Sequence, residues 1–298
     1  MEPAGVLALP LRSSARAALV SMRPKQWSKN LLVFAGILFA AKLGDGHRWL
    51  EAIAAFAAYC AASSAAYLVN DVLDAETDRL HPVKRNRPIA RGEFSPRTAL
   101  TFAAALVAGA LAVVGAFDWW SVAYLAGFLA LQFAYSIRLK HVVLIDVMAI
   151  GALFVIRAAA GAQIVDVPIS PWLLVCTALL ALFLALAKRR AELVLVGADA
   201  TPGRPVLEGY SLELVDQLVS VVAASAVIAY SLYTFTARDS HAMMATIPFV
   251  LFGIFRYLLL IHRHDLGEEP ENVLLTDLPI LLTVAGWAMT AGIILLET

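Results

Sequence analysis

The chain has 298 residues, of which 61% are apolar and only 15% charged, with a mean hydropathy of +0.77. A water-soluble domain carries about 25% charged and about 45–50% apolar residues, so there are too few charges here to cover the apolar surface in water, and lipid must be the solvent. The net charge is zero, which points to no acidic or basic partner, and the two cysteines, Cys60 and Cys176, lie in apolar runs that exclude a disulfide framework or a cysteine metal site.

In chain order, residues 1–27 read as a retained cytoplasmic or interfacial segment rather than a signal peptide. Their apolar stretches are short and interrupted, and Arg12, Arg16, Arg23 and Lys25 punctuate them. A spanning helix needs roughly 20 mainly apolar residues. Nine stretches qualify: 28–43, 50–70, 97–117, 119–137, 142–165, 170–187, 213–236, 243–261 and 277–296. The first is the weakest, because its uninterrupted apolar run covers only Leu31 to Ala41 and it spans only if Lys29 and Lys42 snorkel to opposite surfaces. Loops then alternate sides, and 19 of the 23 Lys and Arg residues fall on the side of the N-terminus, which predicts that this side is cytoplasmic. Of the 23 Asp and Glu residues, 17 gather on that side too. The positive-inside rule does not ask for acids, so metal and phosphate chemistry is expected there.

After the second span the chain reads Asn70-Asp71-Val72-Leu73-Asp74-Ala75-Glu76-Thr77-Asp78-Arg79. The spacing i, i+3, i+7 places Asp71, Asp74 and Asp78 on one face of a continued helix, with Asn70 reaching that face through Asp74 and Glu76 pointing away. Three like charges so close repel unless a cation sits among them. Hard oxygens suit Mg²⁺, which keeps waters and takes one or two carboxylates plus substrate phosphate oxygens. Unneeded charge beside the bilayer is costly, which weighs against an ordinary solvated helix end. Lys84, Arg85 and Arg87 follow, ahead of Pro88 and Arg91; they read either as positive-inside residues or as a clamp on the phosphates that the metal bridges.

Further along, Arg157 near the middle of the fifth span is expensive unless it faces a polar cavity or a partner on another helix, and it is read as lining a substrate cavity. Gly151 and Gly161 would allow neighbouring helices to pack closely. At the end of span six the chain reads Lys188-Arg189-Arg190-Ala191-Glu192, which puts Lys188 and Glu192 on one face. Charged lysine cannot ligate a metal but can bind phosphate directly. The acids Asp265, Glu268, Glu269 and Glu271 between the last two spans read as a solvated face or a lid.

Asn70-Asp71-x-x-Asp74-x-x-x-Asp78 followed by Lys84-x-x-Arg87-Pro88-Ile89 resembles the first signature of the UbiA superfamily of intramembrane prenyltransferases. The resemblance implies one all-helical transmembrane domain over 1–298, with nine helices around a central cavity open to the cytoplasmic side and a diphosphate held through Mg²⁺. Family members ordinarily carry a second aspartate motif near the end of span six, where this chain has Lys188-Arg189-Arg190-Ala191-Glu192. That replacement, with Arg23-Pro24-Lys25-Gln26-Trp27-Ser28-Lys29-Asn30, is similar to the branch that moves 5-phosphoribose from phosphoribosyl diphosphate (PRPP) to a polyprenyl phosphate. The implied roles follow. Asp71, Asp74 and Asp78, with Asn70, hold one or two Mg²⁺ on the PRPP diphosphate, and Lys84, Arg85 and Arg87 neutralise the leaving group. Lys25, Lys29, Lys188, Arg189 and Glu192 serve the remaining phosphates, with Tyr135, Lys140 and Arg157 as lesser contributors. Partners are PRPP, a polyprenyl phosphate and membrane lipid, with no nucleic acid, and a homo-oligomer is compatible. Two alternatives stay open: a prenyltransferase acting on an aromatic acceptor, which should show the second aspartate pair, and a transporter or flippase, which should show matched broken spans.

Overall fold

The computed structural model describes residues 11–39, 44–80, 84–199, 205–236, 241–263, 273 and 276–297. The acids at 265–271 lie outside the described residues, as do Lys42 and Arg238. Among the described residues there is no strand. The helices are α1 Leu11–Ser21, α2 Ala35–Phe39, α3 Gly46–Leu73, α4 Ala75–Leu80, α5 Pro96–Gly115, α6 Trp119–Ile137, α7 Ile145–Ile164, α8 Pro171–Asp199, α9 Leu212–Thr236, α10 Ile247–Arg263 and α11 Leu278–Glu297.

Eight helices among the described residues are long and apolar enough to cross a bilayer, and they coincide with the second to ninth predicted spans. The chain is therefore a multi-pass membrane protein. The first predicted span differs: it is a 3-10 segment, Pro24–Phe34, continued by the short α2. A 3-10 turn rises about 2.0 Å per residue against 1.5 Å in an α-helix, so a short apolar run covers more depth this way. The sixth predicted span also runs on, because α8 continues to Asp199 and carries Lys188 to Glu192 on unbroken helix.

The chain divides into two compact units, Met1–Leu31 with Ala54–Leu129, and Leu32–Ile53 with Ala130–Thr298. In the first, α3 presents a run of buried small residues, Ala55, Ala58, Ala62, Ala65 and Ala66, against which neighbouring backbone can pack closely. The segment after α1 runs antiparallel to α3: Arg23 lies over the Tyr67 ring at 5.0 Å, Trp27 Nε1 donates to Ser64 Oγ at 3.1 Å, and Asn30 Nδ2 reaches Cys60 Sγ at 3.3 Å. Ala17, Leu68, Ile89, Phe94 and Ala99 form a core that joins α1, α3, the 84–94 turn and α5. Ser95 caps α5 by accepting from the Thr98 N–H, with Pro96 at the first turn, where its missing N–H costs nothing.

In the second unit, α7 to α11 share a core that includes Phe183, Leu186, Val215, Val219, Tyr257 and Ile261. The 33–36 backbone packs directly on α7: a Cβ on Gly161 would lie 2.0 Å from the Val33 carbonyl oxygen, and one on Gly36 would lie 2.6 Å from Ala162 Cα. A Cβ on Gly151 would meet the Leu182 side chain at 3.3 Å, with the Ala178 carbonyl oxygen at an ordinary 3.9 Å. The close packing expected at Gly151 and Gly161 is present. With no aqueous hydrophobic force between helices in lipid, such backbone-to-backbone approach is a main source of cohesion.

Candidate functional site

The acidic cluster grows from the way α3 ends. Helical hydrogen bonding continues past Leu73: the Asp74 N–H reaches the Asn70 carbonyl at 2.9 Å and the Asp78 N–H reaches the Asp74 carbonyl at 2.8 Å. The path stays helical across the break between α3 and α4, so Asp71 and Asp78, about two turns apart, lie on one side. Both are buried, at 2% and 3% exposure. They converge on a single nitrogen, Arg87 Nη1, at 3.2 Å from Asp71 Oδ1 and 2.5 Å from Asp78 Oδ2. Asp74 instead accepts from Asn70 Nδ2 at 2.9 Å, and Glu76 is exposed, as its helical position requires.

Arg87 is placed by its neighbours. Its N–H closes a 3-10 turn on the Lys84 carbonyl, the following Pro88 and Ile89 are shielded, and Arg79 Nε donates to the Ala90 carbonyl, stapling α4 to this turn. A second guanidinium, Arg23, donates to Asp71 Oδ1 at 2.5 Å. Arg23 has φ +53°, a left-handed conformation uncommon for a residue with a side chain. Val20, Ser21, Arg23, Asp71, Lys84, Asn86, Arg87 and Pro88 line a cleft of about 310 Å³. Of the other expected residues in this unit, Arg85 and Lys25 are exposed, and Lys29 donates to Gln26 Oε1.

Among the described residues no three carboxylate, histidine or cysteine side chains meet in a metal-binding group. The residues nonetheless fit a Mg²⁺ bound through one or two carboxylates and substrate oxygens. Asp71 and Asp78 already aim at one cationic position, which a guanidinium fills as a stand-in ion.

The second unit holds a separate buried network. Asp146, fully buried at the start of α7, accepts from Arg189 Nε at 2.7 Å on one oxygen and from the Tyr210 hydroxyl at 2.6 Å on the other. Arg189 also donates to Glu192. Tyr210 in turn accepts the N–H of Leu144, a residue at φ +66°, at 2.8 Å. Burial first, and then donation to Asp146, pushes the Tyr210 hydroxyl well above the usual phenol range. Tyr135 lies within electrostatic reach of Arg189. Lys188 and Lys140 are half-buried, the first on α8 and the second in the 3-10 turn Leu139–His141. Arg189 is itself only 1% exposed, so its charge is spent on two carboxylates within the protein. Arg157 is buried; it donates to the Leu153 carbonyl of its own helix at 3.0 Å and lies 5.3 Å from the Phe154 ring centroid.

Sequence reasoning missed Arg23, Asp146 and Tyr210 as members of these clusters. Asp146 carried a signal, being a carboxylate inside a predicted span. Tyr210 carried none, since nothing local marks a loop tyrosine as the partner of an acid 64 positions away.

The UbiA prenyltransferase family model matches residues 31–278. The chain is similar to the decaprenyl-phosphate phosphoribosyltransferase of Mycolicibacterium smegmatis, with 33% identity covering 98% of this chain and 96% of that protein. The protein of the same name from Mycobacterium tuberculosis is 34% identical over 96% of this chain and 97% of its own length. In fold the chain matches a UbiA homolog from Archaeoglobus fulgidus bound to DMAPP and Mg²⁺, with a TM-score of 0.73 at 19% identity, covering 95% of this chain and 99% of that one.

Proposed function

Since the chain belongs to the UbiA prenyltransferase family, we propose that it transfers 5-phosphoribose from PRPP to a polyprenyl phosphate such as decaprenyl phosphate, releasing diphosphate in a Mg²⁺-dependent reaction. The observation that carries this reading is likeness along almost the whole length, at about a third identity, to enzymes named for that transfer. A lysine, Lys188, standing where a second aspartate motif would serve an isoprenyl donor, supports it.

Asp71 and Asp78 are the carboxylates that would hold Mg²⁺, with Asp74 and Asn70 beside them. Held by these carboxylates, the ion would supply positive charge that offsets the charge developing on the leaving group. Lys84 and Arg87 line the same cleft and supply fixed positive charge to that group, and Arg85 would join them only by turning in from solvent. The acceptor phosphate is anionic at neutral pH, so it is a competent nucleophile without a general base. Direct displacement at the ribose C1, through a transition state with oxocarbenium character, inverts the anomeric centre.

In the second unit, Lys188 is the residue assigned to a substrate phosphate. Arg189 acts as a positioning residue that orients Glu192, since its Nε donates to Asp146 and its Nη1 to Glu192. Lys25, Lys29, Tyr135, Lys140 and Arg157 are assigned supporting contacts.

The proposed topology has a ninth crossing and a cytoplasmic N-terminus. The ordered partners Arg23–Tyr67, Trp27–Ser64 and Asn30–Cys60 support it, because the segment descends α3 from the end that bears Asp71. So does the gathering of Lys and Arg residues in alternate loops.

Purified chain given PRPP, Mg²⁺ and decaprenyl phosphate should release diphosphate and form a phosphoribosylated lipid. Activity on an isoprenyl diphosphate with an aromatic acceptor, and none with PRPP, would overturn the assignment.

A further inference from the structure

Two guanidiniums occupy the position a divalent cation would take. Arg23 Nη2 and Arg87 Nη1 lie 2.5 and 3.2 Å from the same oxygen, Asp71 Oδ1, and Arg87 reaches Asp78 as well. With Asp71 only 2% exposed, a metal ion cannot ligate that oxygen until at least one guanidinium leaves. A displaced guanidinium keeps its desolvation cost unless another anion receives it, and phosphoryl oxygens accept the same forked pair of N–H groups as a carboxylate. Arg23 is suited to such a move. Its backbone is held in the left-handed region between the Val20 carbonyl and the Gln26 N–H, while its side chain rests on the flat face of Tyr67 and keeps a partly exposed edge toward the cleft.

We propose that Arg23 is a diphosphate-binding residue, and that Arg23 and Arg87 exchange partners on binding, passing from Asp71 and Asp78 to phosphoryl oxygens as Mg²⁺ takes the carboxylates. Metal and diphosphate therefore enter together, each removing the obstacle to the other. No covalent bond changes in this step. The inference rests on the diphosphate-site reading above but not on the identity of the donor, because inorganic diphosphate is a sufficient probe.

The test uses the full chain in detergent, with Mn²⁺ followed by electron paramagnetic resonance and diphosphate by calorimetry. In the unaltered chain, Mn²⁺ alone should bind weakly, and saturating diphosphate should tighten it about tenfold or more. By reciprocity Mn²⁺ should tighten diphosphate by the same factor. Arg23→Gln should shift the two affinities in opposite directions. Mn²⁺ alone should bind about tenfold more tightly, since one competing positive charge a few ångströms away is gone. Mn²⁺ with diphosphate should bind about tenfold less tightly, since a forked contact is lost. A pair that merely holds the fold together would not move the two in opposite senses. Unchanged Mn²⁺-only affinity in R23Q, with diphosphate binding intact, overturns the exchange and leaves the diphosphate site standing. Absence of diphosphate binding in the unaltered chain overturns both. If R23Q does not fold, a structure of the unaltered chain with Mn²⁺ and diphosphate decides: Arg23 on a phosphoryl oxygen supports the exchange, and Arg23 still on Asp71 overturns it.

Discussion

Asp146 and Arg189, 43 positions apart, form a hydrogen-bonded ion pair at 2.7 Å with both side chains almost wholly shielded. Removing one partner of such a pair leaves an uncompensated buried charge, at a cost of about 3–5 kcal/mol. Asp146→Ala should therefore lower the thermal midpoint of the purified protein sharply. Lys188→Ala, one residue from Arg189 but half-buried, should leave the midpoint nearly unchanged and raise a substrate KM instead. Equal destabilisation by both variants would contradict this division of roles.

Tyr210 donates to Asp146 and accepts from the Leu144 N–H, so Tyr210→Phe strands two polar groups and should cost about 1–3 kcal/mol. The sign of its pH dependence follows from the raised ionisation of the hydroxyl. The stabilisation is fully present below the ordinary tyrosine value of about 10 and is lost as pH climbs from there toward the higher folded value. Alkaline unfolding monitored by circular dichroism should show this loss in the unaltered chain and not in the phenylalanine variant.

Glycine-to-alanine substitutions make a graded series. Gly161→Ala drives a methyl into the Val33 carbonyl, where only backbone movement relieves the clash, and should cost several kcal/mol or abolish folding. Gly151→Ala presses on the Leu182 side chain at 3.3 Å and should cost about 1 kcal/mol, because a side chain can yield. Gly127→Ala meets nothing within 4 Å and should be neutral or slightly stabilising. Folded yield and thermal midpoints should follow that order.

Asp71→Asn and Asp78→Asn each remove a charge from the pair that converges on Arg87, and each should lower Mg²⁺-dependent turnover by about a hundredfold or more. Glu76→Gln, two residues from Asp78 but exposed, should retain activity. Turnover in D71N matching that of the unaltered chain would remove the carboxylates from the proposed mechanism.

Arg256 Nη2 donates to Asp277 Oδ2 at 2.8 Å, linking α10 to the start of α11. That hydrogen bond, foremost among the contacts to Asp277, holds its carboxyl below the ordinary range. A depressed carboxyl contributes stability above its unfolded value of about 3.9 and loses it as pH falls through the folded value. Acid titration should therefore loosen the α10–α11 contact only below about pH 4, seen as faster amide exchange at the start of α11, and Arg256→Gln should remove that acid step.

Composition and hydropathy were sufficient to determine that lipid is the solvent and to place eight helices within a few residues of their observed starts. A run of about 20 apolar residues has one stable backbone solution in a bilayer, the helix that satisfies its own hydrogen bonds. The helical period also put Asp71 and Asp78 on one face and turned Glu76 away, since spacing along one helix is a local property. Tertiary structure alone decided where the arginines went. Arg23 and Arg87 sit on Asp71, and Arg189 on Asp146, because a buried charge is governed by whichever opposite charge the fold brings within about 3 Å, and the separations of 48 residues from Arg23 to Asp71 and 43 from Asp146 to Arg189 leave no local trace. The same holds for the 3-10 path that begins at Pro24, where Trp27 and Asn30 find their partners on α3 rather than in any preference of their own segment.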